Sequence, residues 1–306
     1  MNQTTYTWIF ILLIALPLSA RSQTRYIDDL FSEIHISTLT YAEKEGEVLQ
    51  MDVYAPQHDT LQQRPVLFWV HGGGFYTGQR DSEPEVKWMK TFAKKGYVAI
   101  AISYRLLRKG TKEGFGCDCP REAKIQAFKA AAADLMDAIL YIQKQAATYQ
   151  IDPNQILIGG SSAGAETVLS AAYMRNRFFQ DQPQYLDLKF AGMISLAGAM
   201  VDVRHLTKEN AIPTIMFHGT DDDLVPYATA PHHYCPPEKT GYLWLDGSQT
   251  IAQKLESLDT SYFLYTFHGA KHEIAFIPFD YQASIFTFLQ EVVIEKAYQT
   301  LLLEKK

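Results

Sequence analysis

The sequence predicts an α/β fold: one mostly parallel central sheet with an antiparallel N-terminal hairpin, helices on both faces and a small lid at most. Three observations predict it. Short runs that are apolar throughout recur between Arg64 and Phe267, as strands do when both faces of a parallel sheet are covered. Between them lie stretches whose apolar residues return every three or four positions, which marks helices that bury one face. Upstream, two short strand-like runs flank a polar connector, the pattern of a hairpin. With 306 residues, 47% of them hydrophobic, and no internal repeat, the chain suits a single large domain.

Taken in order, the first element is a leader. The run "WIFILLIALPL" (8–18) falls short of the ~20 apolar residues that a spanning helix needs. Ala20 and Ser22 follow it at the −3 and −1 positions of a small-residue cleavage site. The stretch reads as a signal peptide over 1–22; its first seven residues carry no Lys or Arg, which leaves an N-terminal membrane anchor as the alternative. Residues 23–306 then form the exported domain, periplasmic or extracellular, with no stable membrane insertion after cleavage. "EIHIST" (33–38) and "VLQMDVY" (48–54) make the hairpin around the polar "YAEKEGE". "PVLFWV" (65–70), "YVAIAISY" (97–104), "QILIGG" (155–160), "IPTIMFHG" (212–219) and "SYFLYTFHG" (261–269) supply the parallel strands. Ile125, Phe128, Ala132, Leu135, Ile139 and Ile142 form the apolar face of a long helix, and Ile285, Phe288, Leu289, Val292 and Val293 that of another near the C-terminus.

Charge and cysteine usage narrow the chemistry. The net charge of −6 and the lack of a Lys/Arg cluster argue against nucleic acid as a partner and favour a neutral or weakly charged small molecule. Cys117, Cys119 and Cys235 are the only cysteines. A lone C-x-C offers too few ligands for a metal, and cysteines one residue apart bridge each other only with strain. In an exported chain the expectation is a disulfide from Cys235 to either Cys117 or Cys119, leaving one thiol.

In sheets of this type chemistry collects where strands end at their carboxyl edge. The stretch "IGGSSAGAE" (158–166) ends one strand and opens a helix, and it contains G-x-S-x-G with Gly160, Ser162 and Gly164 at the fixed positions. So sharp a strand-to-helix turn leaves no room for side chains two residues before or after the serine, which the two glycines provide. The frame centred on Ser161 has Gly159 and Ala163 as its flanks and fits less well. Alone, the motif could equally be a helix N-cap or a phosphate cradle. It is preceded by "VHGGGF" (70–75), where Gly73 and Gly74 can turn backbone N–H groups toward a developing oxyanion, with the amide of Ala163 as a third donor. "FHGTDDDLVP" (217–226) follows another strand and offers Asp221, Asp222 and Asp223. "FHGAKHEIAF" (267–276) follows the last and offers His268 and His272. The chain order Ser, Asp, His is that of a nucleophile, an orienting acid and a base.

Segments 65–75, 155–166, 212–226 and 261–276 together resemble the α/β-hydrolase superfamily. Within it the chain is similar to carboxylesterase-type serine hydrolases with an HGGG motif, namely the hormone-sensitive-lipase-like enzymes and the secreted bacterial feruloyl and acetyl-xylan esterases. The pattern covers nearly all of residues 30–295. The resemblance implies that Asp222 is the acid, because His218, Gly219, Asp222, Val225 and Pro226 match "HG-x-x-D-x-x-V-P". It also implies that His272 is the base, in the last strand-to-helix loop. The site is then Ser162, Asp222 and His272 with an oxyanion hole of Gly73, Gly74 and Ala163. The activity implied is hydrolysis of a small-molecule or polysaccharide-linked carboxylic ester through an acyl-enzyme, with no cofactor and no metal.

The same chemistry serves amides, so a prolyl-oligopeptidase-like or arylformamidase-like enzyme is the second reading and an inactive binding protein the third. Two departures qualify the resemblance. Ser161 stands where hormone-sensitive-lipase-like enzymes commonly carry Asp, and no long N-terminal cap is present. Any lid comes from 105–122 or 227–248, and a disulfide at Cys235 would join them. Phe75, Tyr76 and Tyr104 are candidates for the pocket wall. His71, His218 and His268 are expected to hold loops by hydrogen bonds, and no motif assigns a task to His232 or His233.

Overall fold

A computed structural model describes residues 24–305; the leader predicted over 1–22 lies outside them. In chain order the strands are β1 (Ile34–Lys44), β2 (Glu47–Pro56), β3 (Arg64–Val70), β4 (Val98–Ile102), β5 (Ile151–Ser161) and β6 (Gly192–Leu196). There follow β7 (Ala199–Met200), β8 (Thr214–Gly219), β9 (Thr229–Pro231), β10 (Trp244–Gly247), β11 (Tyr262–Phe267) and β12 (Thr300–Lys305). Nine of them form one sheet in the order β1-β2-β4-β3-β5-β6-β8-β11-β12, and β7, β10 and β9 form a small second sheet. Only β1–β2 and β2–β4 are antiparallel in the large sheet; its other neighbours run parallel.

Strand alternation divides the interior in two. In β3, Val66, Phe68 and Val70 enter one hydrophobic cluster while Leu67 and Trp69 enter the other, as the two-residue side-chain period requires. Both faces are thereby buried, which explains why the strands read as unbroken apolar runs. The helices Arg121–Gln143 and Ala163–Tyr173 cover the first face. The second is covered by Glu83–Lys94, through Trp88, Met89 and Phe92, and by residues 282–294.

Several elements differ from expectation. The connector "YAEKEGE" is mostly strand, because β1 runs to Lys44 and the turn is only Glu45–Gly46, both at positive φ, as a two-residue hairpin turn demands. β6 and β12 were not anticipated: β6 is a five-residue run that begins at Gly192, and β12 pairs with β11 at the sheet edge. The predicted C-terminal helix is α-helical only over Gln282–Phe288 and continues as a π-helical segment, Leu289–Ile294, with Val292 and Val293 still buried. For the site, what matters is that β3, β5, β8 and β11 run parallel and end together. The loops carrying 71–74, 161–162, 222 and 272 are thus gathered at one edge.

Candidate active site

Ser162 lies between β5 and the helix Ala163–Tyr173, at φ 51° and ψ −121°. This is a costly conformation for a residue with a side chain. Neighbouring backbone fixes it: the Ser162 amide donates to the Leu196 carbonyl at 2.8 Å, and the Glu166 amide donates to the Ser162 carbonyl at 2.9 Å. The flanking glycines are required for space. A Cβ on Gly160 would lie 2.4 Å from the carbonyl of Gly164, and one on Gly164 would lie 2.0 Å from the Val70 oxygen in β3.

The turn presents the Ser162 hydroxyl to His272, with Oγ 2.8 Å from Nε2. On the other side of the ring, Nδ1 is 2.7 Å from Asp222 Oδ2. Asp222 is fully buried, and its second oxygen accepts the amides of Leu224 and Val225, both at 2.9 Å. Burial works against its charge. The adjoining His218 and His272 rings outweigh that and hold the carboxyl well below the usual carboxylate range. An ionised Asp222 can only accept, so the imidazole proton sits on Nδ1 and Nε2 is free to accept the serine proton. Asp221 and Asp223 lie outside this chain of bonds, Asp223 pairing instead with Lys271 at 3.2 Å.

Gly73 and Gly74 share a cavity with Ser162 and His272. Both have positive φ, 118° and 58°, and among the described residues neither amide donates to a protein acceptor. Gly72 closes the approach, since a Cβ there would meet the Ser162 Cβ at 3.3 Å. Ala163 is the first residue of its helix, where amides have no intrahelical acceptor and the helix dipole favours negative charge. Ser161, by contrast, turns toward Gly72 and makes no bond to His272.

The cavity measures about 1290 Å³, at or above the ~300–1,000 Å³ of ordinary small-molecule pockets. It is bounded on one side by the loop 108–116 and by His232 and His233. A Cys117–Cys235 disulfide joins these two regions, resolving the pairing that the sequence left open, and Cys119 is a buried free thiol. Of the three aromatic wall candidates, Tyr76 does line the cavity. Phe75 and Tyr104 do not: Phe75 is core, packed on Phe115 and Phe128, and Tyr104 stacks on His71 and donates to its carbonyl at 3.0 Å. They turn inward because both belong to the apolar face that packs under the helix Arg121–Gln143.

His218 bonds Ser248 and the Val225 carbonyl, while His71 bonds the Gly72 carbonyl. His268 is exposed beside Glu304 at the sheet edge. Sequence reasoning missed three cavity residues: Glu85, Glu166 and His232. Burial pushes the Glu85 carboxyl up to about 7, raises that of Glu166 well above its ordinary value, and holds His232 in its neutral form. A weak signal existed for Glu166, a charged residue four positions after Ser162 in an otherwise small and apolar helix.

The family model described as BD-FAE matches residues 51–207, slightly more than half of the chain. Among curated proteins, phenmedipham hydrolase of Pseudarthrobacter oxydans is 32% identical over 127 residues, which cover 41% of this chain and 23% of that one. Chlorogenic acid esterase of Aspergillus niger is 24% identical over 165 residues, covering 52% and 30% respectively. The chain therefore spans less than a third of the length of these two relatives. Esterase 2 of Thermogutta terrifontis superposes with a TM-score of 0.61 at 18% identity, over 86% of this chain and 94% of that one. That likeness shows the fold.

Proposed function

The chain belongs to the BD-FAE family, an α/β-hydrolase esterase family, and from that premise we propose that it hydrolyses carboxylic esters with Ser162 as nucleophile. The observation that carries the proposal is the unbroken path from Ser162 Oγ through His272 to buried Asp222, at 2.8 and 2.7 Å, opening on a large cavity. His272 takes the serine proton as Oγ attacks the ester carbonyl, and Asp222 keeps the ring oriented and supports its positive charge. The amides of Gly73, Gly74 and Ala163 receive the oxyanion, each preorganised donor contributing about 3 kcal/mol to the lowered barrier. His272 returns the proton to the leaving alcohol, and then activates the water that cleaves the acyl-enzyme.

The substrate proposed is a small-molecule or polysaccharide-linked ester. The test is covalent trapping. One equivalent of an organophosphorus fluoridate should add a single phosphoryl group to Ser162, located by peptide mass spectrometry, and abolish ester turnover. Adduction at Ser161, or none on the folded protein, would reject the assignment. We also propose export through a leader at 1–22; the disulfide supports it, since such bonds persist in oxidising compartments. An N-terminus beginning at Met1 in secreted material would contradict it.

A further inference from the structure

Beside the nucleophile lies a buried polar cluster with no part in the bond chemistry. Glu166 follows Ser162 by four residues, in the first turn of the helix Ala163–Tyr173, and both residues line the same cavity. It is 1% exposed, lines the cavity, and its Oε1 has no hydrogen-bond partner. His232 Nε2 lies 3.5 Å from it, outside hydrogen-bond geometry.

His232 is anchored from behind. Lys124, fully buried, reaches its Nδ1 at 3.2 Å and donates to the Gly241 carbonyl at 3.0 Å. With Nδ1 accepting from the amine, the proton of the neutral ring sits on Nε2 and faces Glu166. Phe115, edge-on to His232 with ring centroids 5.3 Å apart, and Val225 make the surrounding wall apolar.

Buried carboxyls are ordinarily satisfied, and one left unpaired at a cavity wall is costly unless a ligand completes it. We propose that Glu166, positioned by His232 and Lys124, hydrogen-bonds a neutral hydroxyl carried by the ester substrate. Charged groups fit poorly: a cation would approach Lys124, and an anion would approach the Asp222 carboxylate. Burial raises the Glu166 carboxyl well above its ordinary value, and in its protonated form it can both donate to and accept from a hydroxyl. The hydroxyl can stand on the acyl or on the alcohol portion of the ester. This inference rests on the esterase reading and adds a specificity residue to it.

Two matched pairs of esters test it. Methyl phenylacetate against methyl para-hydroxyphenylacetate probes the acyl side, and phenylethyl acetate against para-hydroxyphenylethyl acetate probes the alcohol side. The readout is the kcat/KM ratio within each pair. In one arm the wild type should favour the hydroxylated member by about tenfold, the worth of one well-placed hydrogen bond. Glu166→Met should bring that ratio close to one, while Glu166→Gln, which retains a donor and an acceptor, should keep most of it. Thermal melting monitors folding of both variants. A wild-type ratio near one in both arms overturns the proposal whatever the variants do. So does a Glu166→Met protein that slows both members of the favoured pair equally. Turnover of the plain esters by the wild type reports separately on the esterase reading.

Discussion

At Ser162 the backbone holds a conformation that costs about 1–3 kcal/mol for a residue bearing a Cβ, and the reward is a hydroxyl projected clear of both strand and helix. Asp222 shows a second trade at the residue scale, a buried carboxylate kept charged by two amides and two histidine rings. Asp222→Asn would offer an amide donor to Nδ1, favour the wrong imidazole tautomer and lower kcat by about 10⁴-fold, with little change in KM. Glu85 behaves oppositely. Its carboxyl is raised from 4.5 to about 7 by burial, so between those values the folded state holds a proton that the unfolded state has lost. Stability therefore falls as pH rises through that window. Glu85→Gln mimics the protonated form and should melt with the wild type near pH 4, yet be more stable at pH 8, by up to roughly 3 kcal/mol. Denaturant titrations at the two pH values check this; an equal difference at both would contradict it. Asp222 and His272, which the structure joins to Ser162 by a chain of hydrogen bonds, follow strand ends. The sharp turn at Ser162 and its flanking glycines were legible because such turns impose local residue identities. Glu85, Glu166 and His232 were not, because their burial is created by helices and loops distant in sequence.

Among the elements, the strand-to-helix turn tolerates the least change. Gly164→Ala would drive a Cβ to within 2.0 Å of the Val70 oxygen, whereas Gly116 has open space around its Cβ position. The first substitution should reduce soluble yield or lower Tm severely, at a stability cost of several kcal/mol, and the second should leave Tm within a degree or two. Comparable melting of the two variants would mean that β3 and the helix Ala163–Tyr173 are less tightly apposed than described. The strands that carry the site were readable because burial on both faces makes them apolar throughout. β6 escaped notice because "GMISL" is only five residues long with a serine within it, and β12 because an edge strand is half exposed and carries charges. Two of the three wall candidates lie in the core for a related reason: periodicity assigns Phe75 and Tyr104 no side, and packing beneath the helix Arg121–Gln143 draws them inward.

For the molecule as a whole, the Cys117–Cys235 bridge spans 118 residues of sequence and ties the loop before the helix Arg121–Gln143 to the segment after β9. Cross-linking a loop of that length removes about 4–5 kcal/mol of unfolded-state entropy. Reduction should therefore lower Tm markedly and loosen one wall of the cavity. Alkylation of the denatured chain should add one group without reductant and three with it, and three in both cases would exclude the bridge. The sequence narrowed the pairing to two choices, and only the three-dimensional course of the two loops selects Cys117. The central claim is that this chain cleaves esters through Ser162. Its most direct test is p-nitrophenyl acetate hydrolysis by the wild type beside Ser162→Ala, with both proteins shown to be folded. The account predicts turnover by the wild type and a fall of at least ~10⁴-fold in kcat for the variant. Equal activity in the two proteins, or none in a folded wild type, would contradict it.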